Sequence, residues 1–113
     1  MTSTPRTGAT GQLSFVVEPK HCIDFTSGGM PAVLSTPALI GCLERAAREA
    51  LDPFLEPGES SVGTEIELRH LAPTPLGGTV ICLARVVRAE GGAAAFQIEA
   101  REGQEVIARG FHR

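Results

Sequence analysis

Apolar residues recur in two rhythms in this sequence, one of period two and one of helical period, and the switches between them divide the chain. Leu13, Phe15 and Val17 alternate with Ser14, Val16 and Glu18, which predicts a first strand over about 12–18. From Pro19 to Met30 the signals are irregular, and Asp24, Ser27, Gly28 and Gly29 read as a mobile connection. Thr36-Pro37 then marks a helix start. A threonine oxygen caps free backbone N–H groups, and proline at the first helical position loses nothing there. The helix is expected to run to about Leu51 and to stop before Pro53. On a wheel, Leu39, Ile40, Leu43, Ala46, Ala47, Ala50 and Leu51 fill one arc, with Arg45, Arg48, Glu49 and Asp52 opposite. Its many alanines, with Gly41 nearby, would let a sheet or a partner helix come close.

After the turn Leu55-Glu-Pro-Gly-Glu-Ser the rhythm returns to two. Val62, Thr64, Ile66, Leu68 and His70 share one face of a second strand, with Glu65, Glu67 and Arg69 on the other. Pro73, Pro75, Gly77 and Gly78 turn the chain. Thr79 to Arg88, apolar on both faces, reads as a central strand. Strands about Ala94–Arg101 and Val106–Arg113 follow, separated by glycine turns. Short turns predict antiparallel neighbours. One long helix against one antiparallel sheet of about five strands is an α+β layout.

The length of 113 residues predicts one domain over 12–113, preceded by a flexible tail over 1–11. A formal charge of −3, no tyrosine, no tryptophan and no basic run speak against nucleic-acid binding. No apolar run is long enough to span a membrane. The start, Met1-Thr-Ser-Thr-Pro-Arg, lacks the apolar stretch expected of a secretory signal. Cys22, Cys42 and Cys82 are scattered without metal spacing, which suits a reducing cytoplasm. So small a core also favours an oligomer.

His70 ends the face carrying Ile66 and Leu68, so it points to the core or to a pocket beside it. It reads either as a core-edge histidine bonded to a carbonyl, or as a general base or orienting donor. Glu44 borders the apolar arc of the helix. It either pairs with Arg48 one turn on or, facing a cleft, acts as base or nucleophile. Thr36 is the expected helix cap, with a hydroxyl that could also meet a substrate. On a straight helix Thr36 and Glu44 are separated by about 12 Å of rise. Gly63 reads as a glycine inside a strand, placed there by a bulge or by close approach of a ligand to its N–H. No GxSxG, phosphate loop or HExxH is present, and His21-Cys22 lacks two further ligands, so no metal is expected.

Thr36, Glu44 eight positions on, Leu55-Glu-Pro-Gly-Glu-Ser-Ser-Val-Gly-Thr, His70-Leu-Ala-Pro-Thr-Pro and the terminal Ile107-Ala-Arg-Gly-Phe-His-Arg together resemble the fluoroacetyl-CoA-thioesterase-like branch of the hotdog superfamily. The resemblance covers roughly residues 13–113. It implies a long helix wrapped by a curved antiparallel sheet, in a homodimer or a dimer of dimers with active sites at the subunit interface. It implies hydrolysis of acyl-CoA without metal or organic cofactor. By the same resemblance, Thr36, Glu44 and His70 match the family's catalytic residues. Gly63 matches the glycine lining the acyl site, and Arg113 a functional arginine, allowing for one deleted residue. The segment before the helix is shorter than in the fluoroacetate-specific enzyme and lacks its phenylalanine-rich lid. Phe25 and Met30 are its bulky candidates for substrate contact, so fluoroacetyl specificity is not implied. Pro37 follows the threonine where that enzyme has glycine.

The expected function is therefore a cytoplasmic acyl-CoA thioesterase. Glu44 would attack the acyl carbonyl or activate water, His70 would move protons, Thr36 would orient the groups, and Gly63 would lie at the carbonyl. Arg85, Arg88, Arg109 and Arg113 are the candidates for CoA's phosphates. The alternatives are a non-catalytic acyl- or CoA-binding hotdog module and an enoyl-CoA hydratase-like hotdog protein.

Overall fold

The computed structural model describes residues 5–23, 32–59 and 63–113. Phe25 and Met30, and the glycines of the expected connection, lie outside the described residues. The elements run β1 (Thr10–Val16), β2 (Cys22–Ile23), β3 (Val33–Leu34), α1 (Thr36–Leu51), β4 (Ile66–His70), β5 (Thr79–Glu90), β6 (Ala93–Glu102) and β7 (Glu105–His112). Strand β1 starts at Thr10, two residues before the expected start, and Gly8 N–H already donates to Val86 O.

Helix α1 has the expected extent, but its cap differs. Ser35, not Thr36, is the N-cap, and its hydroxyl oxygen accepts from Ala38 N–H at 3.2 Å. Thr36 is already the first helical residue, so its hydroxyl is free for another task. At the other end Pro53 lacks an N–H, and the chain tightens into a 3-10 turn, Asp52–Phe54.

The sheet has five strands in the order β1-β5-β6-β7-β4, all antiparallel. This corrects one expectation: β4 and β5, adjacent in sequence, are not neighbours. The residues between them form no tight hairpin. They dock on β3, where Leu34 N–H donates to Thr74 O and Val33 bridges Pro75. Strand β4 therefore closes on β7, leaving its other edge without a partner among the described residues. The β2–β3 pair is short and was not legible in the sequence.

The inner face of the sheet packs on α1. Val80, Cys82, Ala84 and Val86 of β5 and Phe96, Ile98 and Ala100 of β6 are buried against Leu39, Cys42, Leu43, Ala46, Ala47 and Ala50. Each large apolar side chain so buried contributes about 2 kcal/mol. The alanines serve the sheet: a Cβ on Gly11 of β1 would collide with Ala46 O and lie 2.5 Å from Ala50 N. Register shifts at Val86/Arg88 and Ala100/Arg101 bend the sheet around the helix.

Candidate functional site

The polar side chains singled out from the sequence gather in two clusters, one at the N-terminus of α1 and one beside its middle. At the N-terminal end, Thr36 Oγ1 lies 2.9 Å from His70 Nδ1. Ser35 does the capping, so the Thr36 hydroxyl can turn to the last residue of β4. With that hydroxyl donating to Nδ1, the ring proton resides on Nε2, which is buried and has no partner among the described residues. Burial holds the His70 pKa below the ordinary imidazole value of 6.5.

The second cluster lies two helical turns on. Glu44 Oε1 stands 3.9 Å from His112 Nε2, with Gly63 beside both. Gly63 is not inside a strand, as expected; it lies three residues before β4. The segment is tied to the end of β7 instead. Thr64 N–H donates to Arg113 O at 2.7 Å, and Arg113 N–H donates to Glu65 O at 2.9 Å. A side chain at position 63 would displace the buried His112 ring, because a Cβ there would sit 2.6 Å from Nε2; Glu44 Oε1 lies beside the same spot at an ordinary contact distance of 3.4 Å.

A cavity of about 780 Å³ opens over this second cluster. Glu44, Gly63, Thr64, His112 and Arg113 line it, with Leu51, Leu55, Phe96 and Ala93–Ala95 supplying apolar wall. Arg48 and Arg88 line it too, with Glu59 and Glu90. Of the four arginines expected at CoA's phosphates, Arg88 and Arg113 border this cavity. Arg85 and Arg109 do not; they are engaged across the sheet by Gln97 and Glu99. Arg48, expected only as a partner for Glu44, joins the cavity instead.

Within one chain, then, Glu44, Gly63 and Arg113 come together, as do Thr36 and His70, but the two groups do not share the cavity. The imidazole beside Glu44 belongs to His112, a residue the sequence reading passed over. The signal was there: His112 is in phase with Ala108 and Gly110, the inward positions of the last strand. It is buried and packed against Phe96, and neither of its ring nitrogens has a hydrogen-bond partner among the described residues. Burial pushes its pKa down, partly offset by the Glu44 carboxylate.

Two thiols are chemically quiet. Burial pushes Cys82 up to about 12 and raises Cys42 as well, so neither supplies a thiolate at neutral pH. Among the described residues no three His, Cys, Asp or Glu side chains converge as a metal site, and no helix is long and apolar enough to cross a membrane.

Residues 17–113 match the family model of fluoroacetyl-CoA-specific thioesterases. A fluoroacetyl-CoA thioesterase of Streptantibioticus cattleyicolor is 39% identical over 82 residues. That match covers 73% of this chain and spans 59% of the enzyme's own length. A solved structure of the fluoroacetyl-CoA thioesterase FlK superposes with a TM-score of 0.85 at 34% identity, covering 95% of this chain and 84% of that one. A hot-dog-like protein from Thermanaerovibrio acidaminovorans superposes with a TM-score of 0.82 at 27% identity, covering 94% and 78% of the two chains.

Proposed function

We propose, from the premise that the chain belongs to the fluoroacetyl-CoA-specific thioesterase family and has its hotdog fold, that it hydrolyses an acyl-CoA thioester to the free acid and CoA. One observation carries this reading. A half-exposed carboxylate, Glu44, stands in the wall of a cavity beside Gly63, with Arg48, Arg88 and Arg113 around it. The apolar wall suits an acyl chain, and the guanidinium groups suit CoA's phosphates.

The complete site requires two copies of the chain. Strand β4 is an edge strand, and Ile66, Leu68 and His70 on its inner face are only half-buried. A two-fold axis pairing β4 with its copy makes the two strands antiparallel, so the start of one lies beside the end of the other. Glu44, Gly63 and His112 of one protomer would then face Thr36 and His70 of its partner. The homodimer thereby reunites the groups that a single chain keeps apart.

In this site Glu44 takes a proton from a water molecule, to which its exposure gives access. The hydroxide adds to the thioester carbonyl held against Gly63, the C–S bond breaks, and the proton on Glu44 passes to the departing thiolate. The partner's His70 donates from Nε2 to the charge that develops, held in that tautomer by the Thr36 hydroxyl. Three free cysteines, Cys22, Cys42 and Cys82, support a reducing, cytoplasmic location.

Thiol release from a panel of acyl-CoA esters, from acetyl to long-chain and phenylacetyl, tests the reading. Turnover of at least one ester is expected, and Glu44→Ala or His70→Ala should each lower it at least about tenfold. Tight binding with no thiol release would instead identify a non-catalytic acyl-CoA-binding module.

A further inference from the structure

His112 is used by none of the steps above, yet the site is shaped around it. Its ring is buried, and both nitrogens lack partners among the described residues. A buried donor left unpaired costs about 1–3 kcal/mol, so such a group calls for an explanation. The acceptor facing Nε2 is Glu44 Oε1 at 3.9 Å, about 1 Å longer than a typical N–H···O hydrogen bond. Glu44 is the movable party: its side chain is 38% exposed, that of His112 7%. The backbone makes room for the ring, since a Cβ at Gly63 would strike Nε2, and Glu44 Oε1 borders the same spot at contact distance.

Resting on the thioesterase reading, we propose that His112 is a positioning residue: as a neutral imidazole it donates from Nε2 to Glu44 Oε1 and holds that carboxylate turned towards Gly63. Placing the single ring proton on Nε2 matches donor to acceptor and leaves only Nδ1 unpaired. Burial favours the neutral ring, as this role needs. The charged groups around the same cavity are Arg48 of α1, Glu59 of the following turn, Arg88 and Glu90 of β5, and Arg113 after β7. A base fixed by a third group loses rate, more than affinity, when that group is removed.

The test uses the full chain with His112→Leu, His112→Gln, Glu44→Gln and the double variant Glu44→Gln/His112→Leu. Leucine removes the donor; glutamine returns an N–H at the ε position. With the best ester of the panel, His112→Leu should lower kcat at least about tenfold with KM changed less than about threefold. His112→Gln should regain most of that loss. The double variant should be no slower than Glu44→Gln alone. Equal damage from leucine and glutamine, or losses that multiply in the double variant, would overturn the assignment. A second arm needs neither turnover nor the leucine variant: the ring nitrogens of His112 are followed by ¹⁵N NMR through a pH titration. The neutral proton is expected on Nε2, and the pKa of His112 should fall in Glu44→Gln, where the carboxylate no longer supports the charged ring. A proton on Nδ1, or identical titration in both proteins, would refute the pairing. If the unmodified protein releases no thiol from any ester, the hydrolase reading fails, while this titration still decides whether His112 and Glu44 are coupled.

Discussion

Two histidines, the half-buried His70 and the buried His112, link stability to pH, because desolvation disfavours the charged form of each ring. Both have folded-state pKa values lowered by burial from the ordinary 6.5. As pH falls through that value the unfolded chain binds protons that the folded chain refuses, so stability declines with acid. Urea midpoints should therefore drop between pH 7.5 and 5.5, above the ordinary carboxylate range. A His70→Gln/His112→Gln protein should show a flatter response. An unchanged slope would mean that neither ring is held neutral by its surroundings. Of the two, His70 was legible from its place on an alternating strand and from the family motif. His112 obeyed the same alternation, but its meaning depended on Glu44 and Gly63, which come from distant parts of the sequence.

At the scale of elements, adjacent hydroxyls divide the labour at the start of α1. Ser35 caps and Thr36 reaches His70, although both are side chains that can cap. Ser35→Ala should cost about 1 kcal/mol of stability with turnover within about threefold of the parent. Thr36→Ala should leave stability nearly unchanged and lower turnover at least about tenfold. The reverse pattern, read from paired unfolding and thiol-release measurements, would return the cap to Thr36. Gly11 is the other critical point, because β1 crosses α1 there at backbone contact with Ala46. Gly11→Ala forces the two elements apart and should cost about 2–4 kcal/mol by chemical denaturation. A cost below about 0.5 kcal/mol would show that the crossing is looser than described.

The extent of α1 was readable because its signals are local: a cap, a proline at each end and a helical apolar period. The strands of β5, β6 and β7 were readable for a similar reason, since alternation and glycine turns lie within each hairpin. The order of β4 was not readable. Nothing within Ile66–His70 says that it pairs with β7, which begins 35 residues after β4 ends; that choice is made by the docking of Thr74 and Pro75 on β3. The candidate site was legible only in part: Glu44, Gly63 and Arg113 of the expected residues line one cavity, His112 beside them was passed over, and the arrangement could not be read. Thr36, Glu44 and His70 stand close in a motif, yet the helix separates the first two and the sheet carries His70 to the Thr36 end.

For the whole molecule, the proposed function makes a lone chain an incomplete catalyst, because the two clusters stand apart within it. The open edge of β4 offers the means of completion, and twice the 11.9 kDa chain mass is expected by light scattering. The decisive measurement is complementation. Glu44→Gln and His70→Ala proteins, each expected to be at least about tenfold slower than the parent alone, are unfolded together, refolded and assayed for thiol release. If one protomer supplies Glu44 and the other His70, every mixed dimer carries one site with both lesions and one intact. Random pairing makes half of the dimers mixed, so about a quarter of the parent activity should return. If Glu44 and His70 of the same chain serve the same site, every site in the mixture keeps a lesion. Activity that stays at the level of the separate variants, with mixed dimers shown to have formed, would contradict the shared site.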